Sequence, residues 1–202
     1  MEGTLFYWFV WIGWTISTFF LAKTKQRVVS SALLLTLIYC SAITLNLDGH
    51  FVNLSLFFII LISYAYMGLQ KFRDLWYSIF ISLIISISYV GMHFIVVYDP
   101  VWIFIDLNFF IAIPLSLIVL IMAKDFHVRL PILLSGYAHG EIAYITLFKD
   151  LAPDYVIGSF LFLDIISLSC MIVYLWSMYE LFATTLRVKI DKPVKHVKQN
   201  IQ

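Results

Sequence analysis

Short polar breaks divide the chain into seven apolar runs, and its basic residues fall on alternate breaks. The runs cover residues 4–22, 28–45, 54–70, 75–98, 101–123, 130–148 and 156–186. A bilayer core about 30 Å thick takes roughly 20 mostly apolar residues per helix, so seven spans would occupy about 140 positions. With 202 residues in all and only short breaks, no extramembrane domain fits. The 62% apolar and 12% charged content is far from the roughly 45–50% and 25% of soluble domains. A water-soluble globule is excluded. The expected fold class is all-α: a polytopic membrane protein, a bundle of seven transmembrane helices over residues 1–186, followed by a basic tail, 187–202.

All of the thirteen lysines and arginines except Lys149 lie in the breaks 23–27, 71–74 and 124–129 or in the tail. Basic residues accumulate on the cytoplasmic side of membrane proteins. An odd number of spans follows, with the N-terminus outside, the C-terminus cytoplasmic, and His50, Asp99 and Asp154 in external loops. Glu2 precedes the first apolar run while Lys23, Lys25 and Arg27 follow it. That charge order is the reverse of a signal peptide's, so the first helix is expected to be retained. The net charge of +1 gives no reason to expect a nucleic-acid partner.

Lipid tails are as apolar as leucine, so helices associate through close backbone approach and hydrogen bonds. Small residues at helical spacing therefore mark contact faces: Ala32, Thr36, Cys40 and Thr44; Ser78, Ser82 and Ser86, continuing to His93; Asn108, Ala112 and Ser116; and the GxxxG pair Gly136 and Gly140. Cys40 and Cys170 sit inside apolar runs and read as packing residues rather than a disulfide. Trp8, Trp76 and Trp102 are placed as interfacial aromatics, and Trp11, Trp14 and Trp176 as gap fillers between helices. Pro100 and Pro131 fall at expected helix starts, and Pro114 predicts a kink within the fifth span.

Five ionisable residues lie inside apolar runs: His93, Asp106, His139, Glu141 and Asp164. A charge at the centre of a span costs about 2.5–3.5 kcal/mol on insertion scales, so each needs a compensating reason. At about 1.5 Å per residue, His93 and Asp106 lie roughly 8 Å below the outer boundary, Asp164 about 12 Å, and Glu141 and His139 about 16 and 14 Å above the inner one. All five fall in the middle or outer half, which suggests a polar pocket opening outward. Residues two apart on a helix point about 200° apart, so Glu141 and His139 face different neighbours. Glu141 shares its face with Tyr137 and Tyr144, candidate donors to its carboxyl group. In one reading each carboxyl group sheds its charge and simply bonds a neighbouring helix. In the other, Glu141 and Asp164, joined by Asp106 or His93, hold a proton, a cation or a polar ligand group.

Several chemistries are unsupported. No lysine lies inside a run, which excludes a retinal Schiff base. His139-Gly140-Glu141 lacks the spacing that sets two zinc-binding histidines on one face. Ser135 and His139 share one helix instead of converging from two, and the flanks of Asp106 and Asp164 carry no GxGD signal for an aspartyl dyad. No catalytic residue, metal set, cofactor or phosphate-binding glycine loop is expected. Asn53-Leu-Ser55 matches a glycosylation acceptor, a common pattern. In the tail, Arg187, Lys189, Lys192, Lys195 and Lys198 suit anionic lipid headgroups, at about 1 kcal/mol per basic residue.

The opening Met-Glu-Gly-Thr-Leu-Phe-Tyr-Trp-Phe-Val-Trp-Ile-Gly-Trp, the basic break 23–27 and the total size resemble the YphA-like family of small membrane proteins from Bacillus and relatives. The resemblance implies a bacterial plasma membrane and a spore-forming background, and brings no activity or site residues. Three classes of function remain. A non-enzymatic membrane component assisting assembly or envelope processes explains most of the chain. A small transporter or channel using Glu141 and Asp164 is the alternative, and an intramembrane enzyme the third. Beyond the lipid bilayer, the expected partners are another membrane protein or further copies of the chain.

Overall fold

A computed structural model describes residues 2–47, 50–99, 101, 103, 105–148 and 155–199, with the backbone alone beyond Arg187. Among them lie seven α-helices: α1 (Thr4–Thr15), α2 (Lys25–Ser41), α3 (Leu54–Met67), α4 (Phe72–Tyr98), α5 (Leu107–Met122), α6 (Phe126–Phe148) and α7 (Phe160–Gln199). Each overlaps one apolar run. A π-helical turn, Ile16–Phe20, extends α1, and two short strands, β1 (Thr44–Leu47) and β2 (His50–Asn53), join α2 to α3. Helices dominate because a chain in lipid must satisfy its backbone N–H and C=O groups internally.

Two segments, Phe72–Tyr98 and Phe160–Arg187, are long and apolar enough to cross a membrane by themselves. Helix α3 has only 14 residues, about 21 Å at 1.5 Å per residue. Helix α7 runs for 40 residues, about 60 Å. It continues unbroken past the end of the seventh apolar run to Gln199.

Three boundaries differ from expectation, each for a local reason. The second run was expected to stay helical to Leu45, but α2 ends at Ser41 and Thr44 pairs with Asn53 in an antiparallel hairpin. The fifth helix begins at Leu107 rather than Val101, with Asp106 as its N-cap. The sixth begins at Phe126 rather than Leu130, so Pro131 lies inside it instead of at its start, and Arg129 is its fourth residue rather than part of a loop.

Helix α6 packs most extensively against α4 and next against α3. A Cβ at Gly136 would lie 2.6 Å from the Ile85 Cβ, and one at Gly140 would lie 2.8 Å from Tyr89 Cδ1. The two glycines thus bring α6 directly onto α4. Ser135 Oγ donates to Ser82 Oγ across the same contact, 2.9 Å away. Ser78, Ser82, Ser86 and His93 are all buried, as are Ala112 and Ser116 of α5. Ala32 and Thr36 of α2 face outward; the Thr36 hydroxyl donates to its own helix at the Ala32 carbonyl. Trp11 and Trp176 are about half exposed and fill no gap between helices. Cys40 and Cys170 are free thiols. Pro100, Trp102, Lys149 and Asp154, and the side chains of Lys189, Lys192, Lys195 and Lys198, lie outside the described residues.

Candidate functional site

At the end of the bundle that carries the N-terminus, the hairpin and the chain entering α7 meet. Ile157 makes a parallel bridge with Val52. The Asn53 N–H donates to the Ile157 carbonyl at 2.8 Å, and the Ile157 N–H to the Phe51 carbonyl at 2.8 Å. Residues 155–158 therefore lie along β2 like a third strand. Asn53 anchors the other side: its Oδ1 accepts from the Ser55 N–H and hydroxyl, and its Nδ2 donates to the Ser41 carbonyl. The amide that matched a glycosylation pattern is buried and spent on capping α3.

Glu141 lies beneath this layer and is fully buried. Its Oε2 accepts from the Tyr89 hydroxyl at 2.7 Å, and its Oε1 from the Tyr155 hydroxyl at 3.0 Å and the Gly158 N–H at 3.0 Å. One carboxyl group thus joins α4, α6 and segment 155–158. The donors differ from the two tyrosines the helical face suggested. Tyr137 bonds Ser169 instead, at 2.6 Å, and the Tyr144 ring packs 5.7 Å from Tyr155 and 4.6 Å from His93. Gly158 has φ near +72°, a left-handed conformation that suits glycine, and there its N–H reaches the carboxylate. Burial, and then the facing Glu141 charge, push the Tyr155 phenol well above its ordinary range, so it remains a donor.

His93 is buried between Tyr89 and Tyr144, with ring centroids 4.4 and 4.6 Å away, and its Nε2 has no hydrogen-bond partner. His139 points to another neighbour, as helical phase requires. Its Nδ1 donates to the Ser135 carbonyl, and its Nε2 pairs with the Tyr64 hydroxyl of α3, both at 2.6 Å.

Asp164 does not share a partner with Glu141. Its Oδ2 accepts from the Gly3 N–H at 2.7 Å and its Oδ1 from the Phe6 N–H at 2.8 Å. It closes the N-terminus of α1, where free N–H groups and the helix dipole favour an anion. The Ser167 hydroxyl, one turn on, donates to the Asp164 backbone carbonyl rather than to the carboxylate. Asp106 leaves the expected pocket altogether: exposed at the start of α5, it caps the Asn108 N–H at 2.9 Å. The apolar run misplaced it because capping, which the hydropathy pattern does not register, ends the helix there.

The opposite end holds a residue that sequence reasoning had left in a loop. Arg129 is buried; its Nε donates to the Ala123 carbonyl at 2.8 Å, and its Nη1 to Ser177 Oγ at 2.8 Å and Glu180 Oε2 at 2.6 Å. Trp176 Nε1 donates to the other Glu180 oxygen at 2.7 Å. The guanidinium ties the carbonyls just past α5 to α6 and α7. A signal was present: in i, i+3 and i+4 steps from Arg129 run Ile132, Leu133 and Gly136, the buried side of α6.

These helices, and the carboxyl groups held inside them by protein donors, define an α-helical integral membrane protein. The match to known proteins agrees and is more specific: residues 2–200 match the YphA-like integral membrane protein family, and the chain belongs to it. It is similar to a Bacillus subtilis (strain 168) protein described as "Uncharacterized protein YphA", at 28% identity over 200 residues covering 96% of this chain and 97% of that one. No solved structure matches.

Proposed function

We propose that the chain crosses the bilayer seven times, N-terminus outside and C-terminus cytoplasmic, and serves as a non-enzymatic membrane component in assembly or envelope processes. The observation that carries this reading is the engagement of the buried carboxyl groups. Glu141 has three protein donors and Asp164 two, so both side chains hold helices and loop together and leave no shared site for a transported ion. The orientation rests on charge: Arg129 and its neighbours Lys124 and Asp125 lie at the end opposite the hairpin, with the basic tail following α7. The tail's basic residues, Arg187, Lys189, Lys192, Lys195 and Lys198, would then meet anionic headgroups on the inner leaflet.

Two measurements test this. In intact cells, a membrane-impermeant thiol reagent should label His50→Cys, and should label Asp125→Cys only after permeabilisation; both residues are exposed. Labelling of both positions from one side would overturn the topology. In liposomes the purified protein should carry no proton or cation current above that of empty vesicles. A current abolished by Glu141→Gln or Asp164→Asn would establish the transporter reading instead.

A further inference from the structure

We propose that Glu141 is a proton-binding site, and that its charge sets how tightly segment 155–158 is held over the outer end of the bundle. The orientation it uses is that of the preceding section, and the labelling experiment there tests that orientation separately.

Two facts about the site pull in opposite directions. Its donor set suits an anion: two hydroxyls and one amide N–H point at the two carboxylate oxygens. Its surroundings suit a neutral group. Glu141 is fully buried, and the two ion pairs among the described residues, Arg73 with Asp74 and Arg129 with Glu180, involve other carboxylates. A buried charge without a counter-ion is costly, and a proton is the species that removes it without needing a cavity. The groups facing Glu141 are Tyr89 from α4, with the His93 ring packed on it, Tyr144 from its own helix, and Tyr155 from the segment above. Helix α7 contributes Phe162 against Tyr89, and the carboxylate it carries at this end, Asp164, is committed to α1. Helix α5 carries no titratable residue, and α3 turns Tyr64 toward His139. The unpartnered Nε2 of His93 marks this as a place where the polar groups do not all satisfy one another.

The proton comes from external water and settles on Oε2, where the bond to Tyr89 reverses direction; no other covalent bond forms or breaks. Oε1 then accepts from Tyr155 and Gly158 as a neutral carbonyl. Hydrogen bonds to an ionised acceptor are roughly twice as strong as neutral ones, so both bonds holding the segment weaken together. Acid outside would loosen the 155–158 strand from its place beside β2, changing the surface the protein shows to an external partner.

Infrared difference spectroscopy on the full chain in lipid nanodiscs, from mildly alkaline to mildly acidic buffer, reads the carboxyl group directly. A protonated-carboxyl band should appear on acidification, persist in Asp164→Asn and vanish in Glu141→Gln. In Tyr155→Phe, which removes one donor to the anion and spares the site, the band should appear at a proton concentration about tenfold lower. Hydrogen exchange of the Gly158 amide, corrected for its intrinsic pH dependence, should quicken several-fold over the same range in the unmodified protein. No band sensitive to Glu141→Gln, or a band whose midpoint ignores Tyr155→Phe, would overturn the proton site. A band with unchanged Gly158 exchange would overturn the link to the segment.

Discussion

The two ends of the bundle bury charge in opposite ways. At the end with the hairpin, two carboxyl groups are met by neutral donors: phenols and a loop amide for Glu141, and the first N–H groups of α1 for Asp164. At the other end a guanidinium is met by a carboxylate, a serine and backbone carbonyls. Neutral donors leave a carboxyl group free to change charge, because no opposite charge is stranded when it does. An ion pair cannot do so, since neutralising one member leaves the other buried and unbalanced. The hairpin end is suited to respond to its surroundings, and the Arg129 end to hold the helices fixed.

The largest expected effect tests the fixed end. Arg129→Met removes the donors to the Ala123 carbonyl and to Glu180 Oε2 and should destabilise the protein by about 3 kcal/mol in denaturant unfolding in detergent. That is the lower end of the usual range, because Glu180 keeps 43% exposure and stays hydrated. If Arg129→Met costs no more than Asp164→Asn, the contrast between the ends is broken. Gly136→Leu, midway between the ends, drives a side chain into Ile85 and should cost about 2–3 kcal/mol. Asp164→Asn leaves one oxygen for two N–H groups and should cost about 2 kcal/mol, and the loss should show as faster amide exchange in the first turn of α1. Asp106→Ala removes an exposed cap and should cost about 1 kcal/mol; a larger loss would return Asp106 to a buried role.

Legibility varied with the kind of signal. Hydropathy placed every helix, because a span is set by length and apolarity along one segment. It failed where a few polar contacts set a boundary. The hairpin between α2 and α3 replaced a helical end, although Asp48-Gly49, the dipeptide typical of two-residue hairpin loops, stood between the strands. Among the candidate residues, Glu141 and His93 share a neighbour, Tyr89, whereas Asp164 caps α1, Asp106 caps α5 and His139 turns to Tyr64. The donors to Glu141 could not be read from its own helix, because Tyr89 is 52 residues away in sequence and Tyr155 and Gly158 lie 14 and 17 residues on, outside α6.

By itself the amino-acid order determined that this chain is a membrane bundle of α-helices, and where those helices lie. Burying apolar side chains in lipid and closing backbone hydrogen bonds within one segment are local demands. The tertiary structure alone decided which buried polar groups meet. Glu141 is held by a helix 52 residues away and by the segment entering α7, Asp164 by the first residues of the chain, and Arg129 by the start of one break and the middle of α7. A polar group inside a membrane protein must find its partner wherever packing brings one within about 3 Å, and no periodicity along a single helix records that distance.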